Sequence, residues 1–147
     1  MAAESSIIQF HYLYKSFRFP NRTKVKAFLS KKFFESGREV EQLNYVFCDD
    51  EYLHQINMQY LNHDTLTDII TFELSPKQQP LVSDIYISVE RVRENASLFK
   101  TSFERELHRV IFHGALHLLG YKDKKNEDKV EMKTKEEAYL NEYFVSR

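Results

Sequence analysis

Apolar residues alternate at Ile8, Phe10, Tyr12 and Tyr14, the period of a half-buried strand. Asn21 then stands at the cap of a helix whose apolar set, Val25, Phe28, Leu29 and Phe33, falls at helical spacing and ends at Gly37. Leu43, Tyr45 and Phe47 alternate again, and Asp49-Asp50 opens a second helix with Leu53, Ile56 and Tyr60 on one face. Two strands follow, Ile70 to Leu74 and Ile85 to Ile87, separated by a loop that Pro76 and Pro80 bracket. Beyond them the pattern is helical. Val89, Val92, Ala96 and Phe99 repeat, Thr101 and Glu104 form a capping box ahead of a long segment through Leu119, and Asn126 starts a charged helix carrying Val130, Ala138 and Tyr139.

Strands interleaved with helices, then a helical tail, predict an α+β (mixed α/β) fold: a small four-stranded mixed sheet packed with about five helices. No repeat, linker or low-complexity tract divides the chain, so residues 1–147 are expected to form a single domain. The hydrophobic share of 42%, with 12 Phe and 9 Tyr, is enough for a proper core. Glycine is scarce. Three in the whole chain rule out a dinucleotide fingerprint, and no P-loop spacing occurs. Two of the three, Gly114 and Gly120, lie in one segment beside two histidines.

Net charge is −1, which gives no global argument for nucleic acid, but the charge is unevenly spread. Residues 1–38 hold eight Lys and Arg against two acidic groups, and residues 39–99 hold three against eleven. The basic part offers a phosphate-attracting face, with Lys24, Lys31 and Lys32 as RNA-binding candidates; a solvated helix with scattered lysines is the plainer reading. The one cysteine, Cys48, allows no internal disulfide. The first residues carry no basic stretch before an apolar run, and no segment approaches the roughly 18–20 apolar residues of a membrane span. A cytoplasmic protein with no membrane partner is the expectation.

The segment His113 to Asp123 carries the chemistry. His113 and His117 are four apart, so a helix projects both imidazoles from one face, as needed to offer two nitrogens to one metal ion. Gly120 can end that helix in a left-handed conformation, and Asp123 then returns as a third ligand. Two histidines and a carboxylate leave the fourth tetrahedral position of a zinc ion open to water, the mark of a catalytic rather than a structural site. Packed core histidines are the plainer reading of the pair alone, and a closed four-ligand site would need another group such as Cys48. A metzincin-type peptidase has the same ligand spacing, but zincins place a glutamate base right after the first histidine, where this chain has Gly114.

His113-Gly114-Ala115-Leu116-His117-Leu118-Leu119-Gly120-Tyr121 resembles the signature of the YbeY family of bacterial endoribonucleases and ribosomal RNA maturation factors. Asn57 and Tyr60 followed by Asp64 and by Thr67 to Phe72, the strand Ser83 to Ser88, and His108 are similar to further family blocks. The similarity runs from about Val40 to the last helix. Two positions depart from the pattern. Asp123 stands where much of the family has a third histidine, and Leu61 stands where the family has an arginine thought to serve the phosphate. That charge stabiliser is then missing, or supplied by another residue such as His63 or Lys122.

The resemblance implies zinc-dependent hydrolysis of single-stranded RNA, with one zinc per chain on His113, His117 and Asp123. Its role would be maturation of the 3′ end of small-subunit ribosomal RNA and ribosome quality control. Ribosomal RNA, and possible contacts with small-subunit proteins, are the implied partners. No residue is identified as the proton acceptor. Asp68, in the matching block, and His63 are the candidates beside the metal-bound water, although an Asp before a strand is more often a cap or turn residue. The competing class is a non-catalytic assembly factor in which the metal only braces the Gly120 turn, a reading that Leu61 favours.

Overall fold

A computed structural model describes residues 7–62 and 67–145 of the chain. In chain order its elements are β1 (Ile8–Tyr12), α1 (Arg22–Glu35), β2 (Val40–Cys48), α2 (Asp50–Leu61), β3 (Ile69–Glu73), β4 (Leu81–Ser88), α3 (Val89–Leu98), α4 (Phe103–Leu118) and α5 (Asn126–Val145). The four strands form one sheet in the order β1-β2-β4-β3. β1 with β2 and β2 with β4 run parallel, while β3 is antiparallel to β4 and forms an edge. This is the α+β arrangement expected, a mixed sheet of four strands with five helices among the described residues.

The two faces of the sheet are covered unequally, and the period of two in the strands decides which residue goes where. Leu43, Tyr45, Phe47, Ile85 and Ile87 join Val25, Leu29 and Phe33 of α1, Val89 and Val92 of α3, and the inner faces of α4 and α5 in one large core. Phe47 sits at its centre, with the rings of Phe10, Tyr12 and Phe17 at 5.4, 5.7 and 5.3 Å. Such pairs add about 0.5–1.5 kcal/mol each beyond the area they bury. On the opposite face Cys48 and Ile70 pack with Leu53 and Ile56 of α2 alone. The thin layer and the thick layer meet beyond β3, where among the described residues no further strand closes the sheet.

Several local readings of the sequence are corrected. Ser102, not Thr101, caps α4: its hydroxyl accepts from the backbone N–H of Arg105 at 3.0 Å, so the Thr101–Glu104 capping box does not form. Asn21 is the cap residue of α1 but makes no side-chain cap bond. β1 stops at Tyr12, because the N–H groups of Leu13 and Tyr14 both turn to the Phe47 carbonyl. Phe99 follows α3 as its exposed cap residue rather than joining its packed face. In α5 the inward stripe is Met132, Glu136, Leu140 and Tyr143, while Val130 and Ala138 face outward.

Candidate functional site

α4 supplies most of the site. Leu107, Val110, Ile111, Phe112 and Ala115 drive one side of it into the core, which leaves Arg109, His113 and His117, each four apart, in a row beside the edge of the sheet. Gly114 lets α4 lie close against the sheet where a zincin would place its glutamate. A Cβ there would lie 3.0 Å from both Ile69 Cδ1 and Ile85 Cδ1, so this position faces the sheet and not the histidines.

Gly120 ends the helix at φ +106°, a backbone region that side chains oppose. The N–H of Gly120 donates to the His117 carbonyl and that of Tyr121 to the Leu116 carbonyl, both at 3.1 Å. The reversed chain brings Asp123 Oδ2 to 3.3 Å from His113 Nε2. A cleft of about 410 Å³ results. Asn57 and Leu61 of α2 line it from the thin layer, Thr67 to Thr71 along the sheet edge, and Arg109, His113, His117 and Asp123 from the thick layer.

Two ligands of a tetrahedral zinc ion, with bonds of about 2.0–2.1 Å, stand roughly 3.3 Å apart. The His113–Asp123 separation has that value, and imidazole and carboxylate are both zinc donors, so these residues fit the ion. Among the described residues no group of three His, Cys, Asp or Glu is drawn together closely enough to hold a metal. His117 lines the same cleft with its side chain exposed, and it is the donor that would have to move in. Cys48 takes no part: it is fully buried against the thin layer, and burial pushes its thiol up to about 12.

The electrostatics of the cleft draw also on Arg109, Glu106 and Glu136, which the sequence did not single out. Arg109 forms a fork on Glu106, Nε to Oε1 at 2.9 Å and Nη2 to Oε2 at 2.7 Å. Its Nη1 donates to Glu136 Oε1 at 3.0 Å, and Nη2 lies 3.7 Å from Asp68 Oδ2. The other oxygen of Glu136 takes the His113 Nδ1 contact at 2.6 Å. Burial disfavours the charged His113 ring, but the Glu136 hydrogen bond and the charges of Glu136, Asp123 and Asp68 outweigh it and raise its pKa. Burial would raise Glu136; His113 and Arg109 prevail and hold it below the ordinary carboxylate range. Asp68 is raised, chiefly by burial, with Arg109 and His113 pulling partly back.

Of the expected site residues, His113, His117, Asp123 and Asp68 share this cleft. His63 and Asp64 lie outside the described residues. Lys122 is exposed and does not line the cleft, whereas Arg109 does, across from Leu61. Lys24, Lys31 and Lys32 also lie away from the cleft lining. Lys24 Nζ sits 4.4 Å from the centre of the Tyr143 ring, Lys31 pairs with Glu142 at 3.3 Å, and Lys32 pairs with Glu142 at 2.6 Å and Glu35 at 3.3 Å. The recurrence of Arg109, His113 and His117 every four residues was a signal that could have found Arg109. Glu136 was legible only as one polar position in the spacing Met132, Glu136, Leu140.

The family model described as Endoribonuclease YbeY matches residues 15–144. Two proteins named Endoribonuclease YbeY are similar along nearly the whole chain. That of Flavobacterium psychrophilum is 45% identical over 96% of this chain and 99% of its own, and that of Flavobacterium johnsoniae 44% identical over 96% and 100%. A solution structure from Thermotoga maritima superposes with a TM-score of 0.61 at 26% identity, covering 94% of this chain and 89% of the other. The matches define the class, an RNA-hydrolysing nuclease. The chain belongs to the YbeY family of endoribonucleases. Among the described residues no helix is long and apolar enough to cross a membrane.

Proposed function

We propose that this endoribonuclease is zinc-dependent and cuts single-stranded RNA, as one cytoplasmic domain spanning residues 1–147. Its substrate is ribosomal RNA, and its place is the maturation of the small-subunit 3′ end and ribosome quality control, beside small-subunit proteins. The observation that carries the zinc reading is the approach of His113 Nε2 and Asp123 Oδ2 to 3.3 Å in a cleft that His117 also lines.

A zinc ion bound in this cleft would supply Lewis acidity, lowering the pKa of water toward neutrality or polarising a phosphoryl oxygen. The chain's own groups do the rest. His113, His117 and Asp123 would hold the ion. Asp68 is the proton acceptor: it lines the same cleft, and burial raises its carboxyl above the ordinary carboxylate value, with Arg109 and His113 pulling partly back. Arg109 places positive charge in the cleft that Leu61 cannot provide. Lys24, Lys31 and Lys32 meet the RNA backbone outside it.

The test is cleavage of a precursor ending in the small-subunit 3′ sequence, offered as a single strand and as a duplex. Metal-stripped protein should be inactive, zinc should restore cutting, and Asp68→Asn should lose it at full zinc loading. Activity equal with and without zinc, or equal on both substrates, contradicts the proposal.

A further inference from the structure

We infer that Glu136, held in place by Arg109, is the positioning residue of the cleft: it fixes which nitrogen of His113 carries the proton and so aims Nε2 at the metal position. The inference rests on the zinc reading above and adds to it two residues outside the ligand set.

Glu136 is 4% exposed and Glu106 2%, so two carboxylates lie out of water on facing helices, a costly arrangement unless each has donors. Arg109 answers Glu106 with a two-point fork and spends one further N–H on Glu136 Oε1 at 3.0 Å. That leaves Glu136 Oε2 for His113 Nδ1 at 2.6 Å. A carboxylate oxygen only accepts, so Nδ1 must be the donor. The opposite tautomer would set a nitrogen lone pair against that oxygen. With the proton on Nδ1, the ring's lone pair lies on Nε2, the atom 3.3 Å from Asp123 Oδ2. The division of labour is clear in the distances: one Glu136 oxygen is tied to Arg109, the other to the ligand. α5 thereby carries a group that orients a ligand on α4, although α5 itself lends the metal no atom. Among the described residues no hydrogen bond of this kind holds His117, so His113 and Asp123 form the prepared half of the site.

Zinc itself is the probe, titrated in competition with a chromophoric chelator against wild type, Glu136→Ala, Arg109→Met and the double variant. Affinity should fall by roughly 10- to 100-fold in Glu136→Ala, the usual cost of losing a partner of a ligating histidine. Because Arg109 acts through Glu136, the double variant should bind no more weakly than Glu136→Ala. Nitrogen-15 spectra of the metal-free protein, recorded above the titration of the ring, should show His113 with its proton on Nδ1 in wild type and a mixture of tautomers in Glu136→Gln. Should Glu136→Ala or Arg109→Met fail to fold, Glu136→Gln and Arg109→Lys keep the volume and carry the same comparison. Unchanged affinity with an unchanged tautomer overturns the inference. A wild type that takes up no zinc overturns the zinc reading instead, and the metal-free spectra then decide the role of Glu136 by themselves.

Discussion

Two acidic residues of α5, Glu142 and Glu136, meet cations in unlike surroundings, and they teach different things. Toward its end Glu142 pairs with Lys31 at 3.3 Å and Lys32 at 2.6 Å, with 38% of its side chain in solvent. Earlier on the same helix Glu136 meets Arg109 at 3.0 Å and His113 at 2.6 Å, with 5% in solvent. Distances are alike; solvent is not. Water and salt can replace the partners of Glu142, so its pairs tie α5 to α1 loosely. Water has little access to the partners of Glu136. Among the described residues its charge rests on Arg109 and His113, which turns an ion pair into a constraint on the His113 ring.

The sharpest way to break this comparison is to remove one charged partner from each place. Arg109→Met leaves Glu106 and Glu136 buried with their main donor gone and should cost about 3–5 kcal/mol in metal-free protein. Glu142→Gln should cost less than about 1 kcal/mol, because its carboxylate is well exposed. Urea unfolding of both variants measures the ratio. Equal losses would mean that the interior cluster is no more constraining than the surface pair.

Acid separates the interior from the surface in a second way. His108 lies 3% exposed among the rings of Phe19, Tyr143 and Phe144, its Nδ1 2.7 Å from the Glu104 carbonyl. Burial lowers its pKa below 6.5, with Lys24 adding to that and Glu104 opposing it. As pH falls below about 6.5 the unfolded chain takes the proton first, so stability held above that value is lost on descending toward the lowered native pKa. The slope is at most about 1.4 kcal/mol per pH unit. Glu142 has the same sign in a lower window: chiefly its Lys32 hydrogen bond depresses it, so its contribution is lost only below about 4.5. The loss specific to His108 is the difference between wild type and His108→Phe in chemical denaturation across the upper window. Parallel curves there would show that the buried ring is not what responds.

What the sequence hides is explained by these same two places. Strand and helix positions follow from apolar periodicity wherever one face is water and the other core, as in Leu43, Tyr45 and Phe47 or in Leu53 and Ile56. The ligand candidates follow from a local rule, two histidines one turn apart and a glycine that permits the return of Asp123. The inward face of α5 obeys no such rule. Its stripe includes a charged residue that is buried because Arg109 and His113, far off in sequence, supply its donors. Val130 and Ala138 therefore look like its core positions and are not. Arg109 reads as a surface charge of an amphipathic helix for the same reason.

The smallest effect expected concerns the basic helix α1. Neutralising Lys24, Lys31 and Lys32 together should flatten the slope of log affinity for single-stranded RNA against log salt by roughly 0.7 per lost phosphate contact. Because Lys32 is committed to Glu142 and Glu35, most of the change should come from Lys24 and Lys31. An unchanged slope would assign all three to intramolecular pairing and place the RNA track elsewhere.

The central claim, that His113, His117 and Asp123 hold a zinc ion in the cleft, is tested most directly by elemental analysis of protein purified without a metal-affinity tag. Wild type should carry one zinc per chain, and His117→Ala and Asp123→Ala should each lose it while remaining folded. A full equivalent of zinc retained in either variant would contradict the ligand assignment.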